Sequence, residues 1–199
     1  MSQSDIILAS GSESRRNLLL SAGVEAVCVK PNVDEEAAKA TFRAEGMRVA
    51  DQAMRLAELK AVKVSRSREG LVIGGDQMLN LEGEAMDKPV DMADAANHLR
   101  RFSGKAHTLE TAIVVAEGGQ PVWRHLAKPK LTVRPLSDAF ISSYLEQSGE
   151  DVLKTVGAYQ LERLGAQLFS RIEGDYFSIL GLPLLPLLDY LRTRGFLEA

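Results

Sequence analysis

The sequence is poor in cysteine and histidine. Cys28 is its one cysteine, and its three histidines are His98, His107 and His125. A single cysteine excludes a disulfide within the chain, and these scattered residues do not have the spacing of a zinc-binding cluster. We therefore expect each histidine to be an ordinary surface or strand residue rather than a metal ligand.

Basic residues are not in excess either. The 24 lysines and arginines are outnumbered by 27 aspartates and glutamates, which gives a formal net charge of -3 at pH 7. Non-specific binding to DNA or RNA depends on a positive field that this composition does not provide. We expect no polynucleotide partner, and any link to nucleic acids should be through free nucleotides.

Long apolar segments are missing as well. No run approaches the length of a membrane span, and the opening MSQSDIILAS lacks the basic and long apolar segments of a signal peptide. A chain of 199 residues with 45% hydrophobic and 26% charged residues is ordinary for a globular protein with one sizeable core. We expect a cytoplasmic protein whose residues 1–199 form a single domain of two lobes without a flexible linker.

Several common catalytic motifs are absent. There is no G-x-x-x-x-G-K-[ST] loop, which makes a P-loop kinase or ATPase unexpected. Nor is there a G-x-S-x-G elbow or an H-E-x-x-H helix, the signatures of two large groups of hydrolases. The function must come from another arrangement of residues.

Short β-rich runs alternate with helical patterns, which predicts an α/β fold. Two long strands around the turn at residues 117–120 form a predicted hairpin, so the sheet should be mixed rather than purely parallel. Other strands are predicted at residues 5–9, 26–29, 71–76 and 166–177. Helices are predicted at residues 12–22, 34–43, 49–67, 91–102, 137–149 and 182–195.

The first strand-to-helix junction has the composition of an anion site. In IILASGSESRRNLLLSAG, an apolar run leads into Ser10, Gly11 and Ser12, followed by Arg15. Helix N-termini present unpaired N–H groups and partial positive charge, which suit a phosphate. The alternative is that Ser10 or Ser12 is only a helix cap.

Lys60 and Asp76 are the most informative charged residues. Lys60 falls on the apolar stripe Ala53, Leu56, Ala57, Val64 of a predicted helix, so it either snorkels to the surface or serves an anion in a cleft. Asp76 follows the strand-like LVIGG, and side chains at the carboxyl ends of α/β strands commonly meet ligands. The alternative for Asp76 is an Asx-turn or a helix cap.

Two further charged pairs complete the set. Asp34-Glu35 either contributes a carboxylate or forms only the acidic first turn of a helix, and Lys88-Pro89 either contributes a cation or is only a loop. Together, carboxylates that hold Mg²⁺ or accept a proton and cations that neutralise phosphate charge are typical of metal-assisted phosphoryl or nucleotidyl chemistry.

In their order along the chain, these segments resemble the Maf family of nucleoside triphosphate pyrophosphatases. The matching segments are LASGSESRRNLL, VDE, LAELKA, GGDQ, DKP, FSGKAHTLETAIVV, VGAYQLERLG and EGDYFSILGLPL. The resemblance implies an elongated α/β protein with a central mixed β-sheet, two lobes with a cleft between them, and frequent dimers. It also implies a divalent metal cation (Mg²⁺, Mn²⁺ or Co²⁺) and hydrolysis of a nucleoside triphosphate to the monophosphate and pyrophosphate.

The same resemblance assigns roles to residues. It places Asp76 at the family's proton-acceptor aspartate, and it places five residues at other active-site positions: Ser10, Arg15, Glu35, Lys60 and Lys88. Asp76 and Glu35 would hold the metal ion, and Ser12 would add a phosphate contact at the start of the first helix.

Base selectivity is where the sequence departs from the family pattern. Ser14 stands where one branch keeps an arginine and another a tryptophan. Gln77 and Glu162 resemble the branch that cleaves 7-methyl-GTP. A carboxylate such as Glu162 can accept two hydrogen bonds from the N1–H and amino edge of guanine. The alternative is that Glu162 is a solvent-facing loop residue.

The resulting hypothesis is that Asp76, assisted by Glu35 through Mg²⁺ or directly, activates a water that attacks the α-phosphorus and expels pyrophosphate. Arg15, Lys60 and Lys88 would neutralise the triphosphate. EGDYFSILGLPL is expected to line the cleft from the second lobe, with Asp175 as a helper carboxylate or merely a turn cap. The rival hypotheses are a nucleotidyltransferase and a non-catalytic nucleotide-binding regulator of cell division.

Overall fold

The computed structural model describes residues 5–198, so Met1–Ser4 of the opening stretch and Ala199 lie outside the described part. Its strands are β1 (Ile6–Ala9), β2 (Val27–Cys28), β3 (Leu71–Leu81), β4 (Glu84–Met86), β5 (Ala106–Glu117), β6 (Gln120–Ala127), β7 (Lys130–Val133) and β8 (Phe169–Glu173). Its α-helices are α1 (Glu13–Ser21), α2 (Glu35–Ala44), α3 (Val49–Ser65), α4 (Met92–Phe102), α5 (Asp138–Ser148), α6 (Tyr176–Ile179) and α7 (Leu184–Thr193).

These strands form a mixed sheet, which confirms the predicted α/β class. β1 pairs in parallel with β2 and β3, whereas β5 pairs antiparallel with β6 across the predicted hairpin turn. The predicted helices are present, with ends shifted by one or two residues. Within residues 5–198, no helix has both the length and the apolar character that crossing a membrane requires.

The chain divides into two compact units. The first unit comprises residues 5–77, 111–127 and 175–198 of the described chain, and the second comprises residues 78–110 and 128–174. Because residues 175–184 fall in the first unit, the expectation that this part of EGDYFSILGLPL comes from the second lobe is wrong. These residues belong to the same compact unit as α1 and most of β3.

The first unit packs helices on both faces of its strands. Leu8 and Ile73 belong to an apolar cluster with Leu19 of α1 and Leu187 of α7, all of them buried. Their strand neighbours Ile7 and Val72 point the other way and pack with Val64 of α3. This alternation follows from the two-residue period of a strand. It places α1 and α7 on one face and α3 on the other.

The second unit has an aromatic core around His107. Phe102, Tyr159 and Phe169 have ring centroids 5.2 to 6.0 Å from that of His107, and Nε2 of His107 lies 2.8 Å from the hydroxyl of Tyr159. Burial lowers the pKa of His107 to about 4. His107 is therefore a neutral core residue on β5, whereas His98 is buried on helix α4, so the expectation of a surface or strand position is wrong for His98.

Three predicted strands differ from the structure by more than a one-residue shift of their ends. β3 continues past Asp76 to Leu81, because Met78, Leu79 and Leu81 are also buried and this end of the strand pairs with β4. The strand predicted after the hairpin turn breaks at Pro129, which cannot donate to a sheet ladder, and yields β6 and β7. The strand predicted at residues 166–177 shortens to β8, and its last two residues begin α6.

The short strand β4 was not predicted. Glu82 and Gly83 between β3 and β4 both have positive φ, at 55° and 94°, as a two-residue hairpin turn requires. The sequence signal for this hairpin was the single glycine at position 83, which is weak because glutamate rarely adopts positive φ.

Candidate active site in the first unit

Ser10 and Ser12 occupy the junction between β1 and α1. Ser12 is the N-cap of α1, since its Oγ accepts the N–H of Arg15 at 3.4 Å. Ser10 is buried, and its Oγ accepts two hydrogen bonds, from the Ser12 N–H at 3.1 Å and from Nη1 of Arg15 at 3.2 Å. A hydroxyl has two acceptor positions and one hydrogen. The Ser10 hydroxyl therefore keeps its hydrogen for an acceptor such as a phosphate oxygen.

Arg15 is buried behind this junction. Its Nε donates to the Gly181 carbonyl at 2.7 Å, and its Nη1 donates to Ser10. Burial lowers the pKa of Arg15, and the negative charges of Asp76 and Glu35 oppose that shift. The guanidinium is thus a buried cation that is fixed by hydrogen bonds and interacts electrostatically with Asp76 and Glu35.

Lys60, Asp76 and Glu35 form a charged cluster. Nζ of Lys60 lies 2.7 Å from Oδ1 of Asp76 and 3.0 Å from Oε2 of Glu35. Lys60 and Asp76 are 6% and 7% exposed, so the snorkelling alternative for Lys60 is wrong. Asp76 lies within β3, so its turn and cap alternatives are also wrong, as is its placement at the end of a strand.

The two carboxylates of the Asp34-Glu35 pair have different contacts. Asp34 is the N-cap of α2 and accepts the N–H of Ala37 at 3.0 Å. Glu35 begins the helix and is the residue that reaches Lys60. Glu35 is therefore in the acidic first turn of a helix, as the alternative had it, but it also reaches Lys60, while Asp34 is only the cap.

Gly74 and Gly75 allow helices and side chains to approach β3 from both faces. A Cβ on Gly74 would lie 2.3 Å from the Ala57 carbonyl oxygen of α3, and a Cβ on Gly75 would lie 3.0 Å from Nε of Arg15. Alternation along the strand puts Gly74 and Asp76 on the α3 face, with Lys60, and Gly75 on the Arg15 face. Because both positions lack a side chain, Lys60 can approach one face of the strand and Arg15 the other.

Gln77 contacts the last two residues of α6, and Ser14 contacts the residue that follows them. Oγ of Ser14 donates to the Leu180 carbonyl at 2.7 Å. The two hydrogens on Nε2 of Gln77 face three acceptors, Oγ1 of Thr111 at 2.8 Å and the carbonyls of Ser178 and Ile179 at 3.0 and 3.1 Å, so one hydrogen is shared between two of them. Their predicted part in base selectivity stays a prediction, and the structure adds protein partners for both.

Two other residues of the hypothesis belong to the second unit, and a third belongs to the first. Lys88, between β4 and α4, and Glu162, in a turn, are exposed residues of the second unit, and their roles stay predictions. Asp175 is the N-cap of α6 and accepts the N–H of Ser178 at 2.8 Å, which is the cap alternative. Thr111 was missed, because a threonine in a β-rich run carries no signal of its own.

The predicted metal ion is compatible with the carboxylates present. In residues 5–198 no cluster of three or more histidine, cysteine, aspartate or glutamate side chains is arranged to hold a metal. Mg²⁺, however, is usually held by one or two carboxylates together with water and substrate phosphates. Asp76 and Glu35 converge on the same ammonium group and supply that number of carboxylates.

Comparison with known proteins gives matches over nearly the whole chain. The sequence model of the Maf family, described as Maf-like protein, matches residues 5–194. The nucleoside triphosphate pyrophosphatase of Hyphomonas neptunium is 67% identical over 95% of this chain and 96% of that protein. That of Caulobacter vibrioides is 51% identical over 98% of each chain. The 7-methyl-GTP pyrophosphatase of Rhizobium meliloti is 50% identical over 98% of each chain.

Proposed function

Because this chain belongs to the Maf family, we propose that it is a nucleoside triphosphate pyrophosphatase, which hydrolyses a nucleoside triphosphate to the monophosphate and pyrophosphate. The observation that carries the proposal is the buried pair of Lys60 and Asp76, 2.7 Å apart. Burying two charges costs several kcal/mol per ion. Unlike exposed charged residues, which keep a protein soluble, a buried pair therefore needs another explanation. Hydrolysis of a phosphoric anhydride supplies one, because the carboxylate can accept a proton from water and the cation can neutralise phosphate charge.

The triphosphate binds at the start of α1 in this proposal. The unpaired N–H groups of a helix N-terminus favour an anion, and the Ser10 hydroxyl has its hydrogen available for a phosphate oxygen. Ser12 donates its own N–H to Ser10 and accepts the N–H of Arg15 through Oγ, so its contribution to phosphate is through the hydroxyl hydrogen. Arg15 holds Ser10 in place and adds positive charge from behind.

Asp76 is the general base. Its carboxylate takes a proton from a water whose oxygen attacks the α-phosphorus, and the bond from that phosphorus to the bridging oxygen breaks, releasing pyrophosphate. Lys60 fixes the orientation of the carboxylate, and Glu35 shares the ammonium group. No covalent intermediate with the protein is needed, since water is the nucleophile.

Metal and base recognition complete the proposal. A divalent cation, Mg²⁺ or alternatively Mn²⁺ or Co²⁺, would be held by Asp76 and Glu35 and would neutralise charge on the phosphate oxygens. Lys88 would add a further cation for the phosphates. Gln77, Glu162 and Ser14 would set base selectivity, with 7-methyl-GTP as the preferred substrate. A homodimer in the cytoplasm is the proposed working state.

Pyrophosphate release measures this activity directly. The purified protein is assayed with Mg²⁺, Mn²⁺ or Co²⁺ and with GTP, 7-methyl-GTP, dTTP, UTP, CTP and ATP. Release of pyrophosphate and monophosphate in equal amounts is expected, with 7-methyl-GTP preferred.

Other outcomes separate the alternatives. Preference for dTTP or UTP keeps the reaction and overturns the proposed base selectivity. A nucleotide conjugate formed only with a phosphorylated co-substrate identifies a nucleotidyltransferase. Tight nucleotide binding without any release identifies a regulator.

A further inference from the structure

Four consecutive backbone carbonyls, from Ser178 to Gly181, accept hydrogen bonds from side chains of the first unit. Thr111 and Gln77 donate to Ser178, Gln77 to Ile179, Ser14 to Leu180 and Arg15 to Gly181, at distances of 2.7 to 3.1 Å. Ser178 and Ile179 end α6, and Leu180 and Gly181 follow it. The last carbonyls of a helix have no partner within the helix, and although Ser178 also accepts the Gly181 N–H, these four carbonyls form a row of acceptors. Residues far apart in the sequence are held in one arrangement by this row.

The contacts of Gln77 determine which end of its side-chain amide faces outwards. Its neighbours Ser178 O and Ile179 O are carbonyl oxygens, which can only accept, so the amide must present Nε2 to them. Reversing the amide would place Oε1 against two carbonyl oxygens. In the described chain, Oε1 of Gln77 accepts no hydrogen bond from the protein, and the side chain is half-buried.

Thr111 reinforces this orientation. It is fully buried, and its Oγ1 donates its single hydrogen to Ser178 O at 3.0 Å. The same oxygen can therefore only accept from Gln77, whose Nε2 lies 2.8 Å away. A directed chain of hydrogen bonds runs from Gln77 through Thr111 to Ser178, and it would be broken by an amide in the opposite orientation.

We propose that Thr111 is a positioning residue that fixes Gln77 as an acceptor-only reader of the nucleobase. This inference rests on the proposed function, since it concerns the base of the triphosphate bound there. An amide free to rotate can match either a donor or an acceptor, whereas the fixed amide offers a ligand only Oε1. The base group that meets Gln77 is then a hydrogen-bond donor, such as a ring N–H or an amino group.

The Thr111→Val variant tests the proposal, because valine keeps the shape and removes the hydroxyl. The measured quantity is selectivity, the ratio of kcat/KM between the best and the worst triphosphate among 7-methyl-GTP, GTP, ATP, CTP and UTP. We expect Thr111→Val to lower this ratio at least fivefold, mainly through KM, with kcat for the best substrate within twofold of the wild type. Thr111→Ser, which restores a hydroxyl, should recover the wild-type ratio within twofold.

Thr193→Val is the matched control. The Thr193 hydroxyl also donates to a backbone carbonyl, that of Asp189 at 3.1 Å, but it lies on the exposed last turn of α7. Its selectivity should equal that of the wild type. An unchanged ratio in Thr111→Val, or an equal loss of kcat/KM for every triphosphate, would show that Thr111 has only a structural role and would overturn the proposal.

Equilibrium binding separates this inference from the proposed function. Dissociation constants of the same triphosphates are measured by calorimetry for the wild type and each variant, which requires no turnover. If the wild type releases no pyrophosphate, the proposed function fails, and the binding ratios still decide the role of Thr111. A wild type that binds all these triphosphates within twofold of one another would contradict Gln77 as a base reader.

Discussion

Lys60 Nζ lies 2.7 Å from Asp76 Oδ1, and both side chains are shielded from solvent. Lys60 comes from the middle of α3 and Asp76 from the middle of β3, so the pair joins a helix to the sheet. Glu35, 3.0 Å from the same ammonium, is about 40% exposed and marks the solvent side of the cluster. The pair is therefore a structural contact, and in the proposed function it is also the chemical centre of the site.

Replacing Lys60 by methionine should destabilise the protein and abolish its activity. Methionine fills a similar volume but leaves the Asp76 carboxylate buried without its cation, and breaking a buried pair in this way costs about 3–5 kcal/mol. Unfolding in urea, followed by circular dichroism, measures the free energy of unfolding. Lys63→Met is the control on the same helix, since Lys63 is less buried and donates to the Asn32 carbonyl. Equal stability of the two variants would contradict this account of Lys60.

The two glycines before Asp76 should respond differently to alanine. Gly74→Ala puts a methyl group 2.3 Å from a backbone oxygen of α3, so we expect a loss of about 1–3 kcal/mol of stability or more. Gly75→Ala meets only the end of the Arg15 side chain, which can move at smaller cost. Thermal unfolding and kcat/KM should therefore separate them: Gly74→Ala loses mainly stability, and Gly75→Ala loses mainly activity. The reverse pattern would contradict the assignment of the two faces.

The free energy of unfolding should decrease as the pH is lowered from 6.5 to 5, because of His107. Its folded pKa of about 4 lies below the unfolded value of about 6.5, so the unfolded chain binds a proton that the folded chain excludes. Stability conferred by the neutral ring is complete above pH 6.5 and is lost towards pH 4, by up to about 3 kcal/mol. Urea unfolding at pH 7.5, 6.5 and 5.5 measures the slope. His107→Phe should flatten it, and an unchanged slope in that variant would refute the assignment.

Local sequence patterns were sufficient to single out Lys60 and Asp76 as candidate site residues. Both signals, the helical stripe that includes Lys60 and the apolar run before Asp76, involve only a few neighbouring residues. They correctly assigned Lys60 to a helix and Asp76 to the strand-like segment that became β3. The same patterns could not show that Lys60 and Asp76 touch. Only the packing of α3 on β3 brings them together, and Gly74, which permits that packing, gave no signal of its purpose.

Contacts between distant parts of the chain could not be predicted. Ser14 and Leu180, and likewise Arg15 and Gly181, are 166 residues apart in sequence. Nothing near either position indicates that the four-residue helix α6 exists or that its carbonyls face α1. The role of Thr111 was invisible for the same reason, since its hydroxyl acts through Ser178, 67 residues away.

The most direct test of the central claim is the Asp76→Asn variant, measured for both pyrophosphate release and nucleotide binding. Asparagine keeps the size of the side chain but cannot take the proton from water. Asp189→Asn, on the exposed side of α7, is the control for an aspartate outside the site.

If Asp76 is the general base, release should fall by about 10²–10⁴-fold while the dissociation constant for the triphosphate stays within about threefold of the wild type. Release by Asp76→Asn at the wild-type rate would contradict the mechanism.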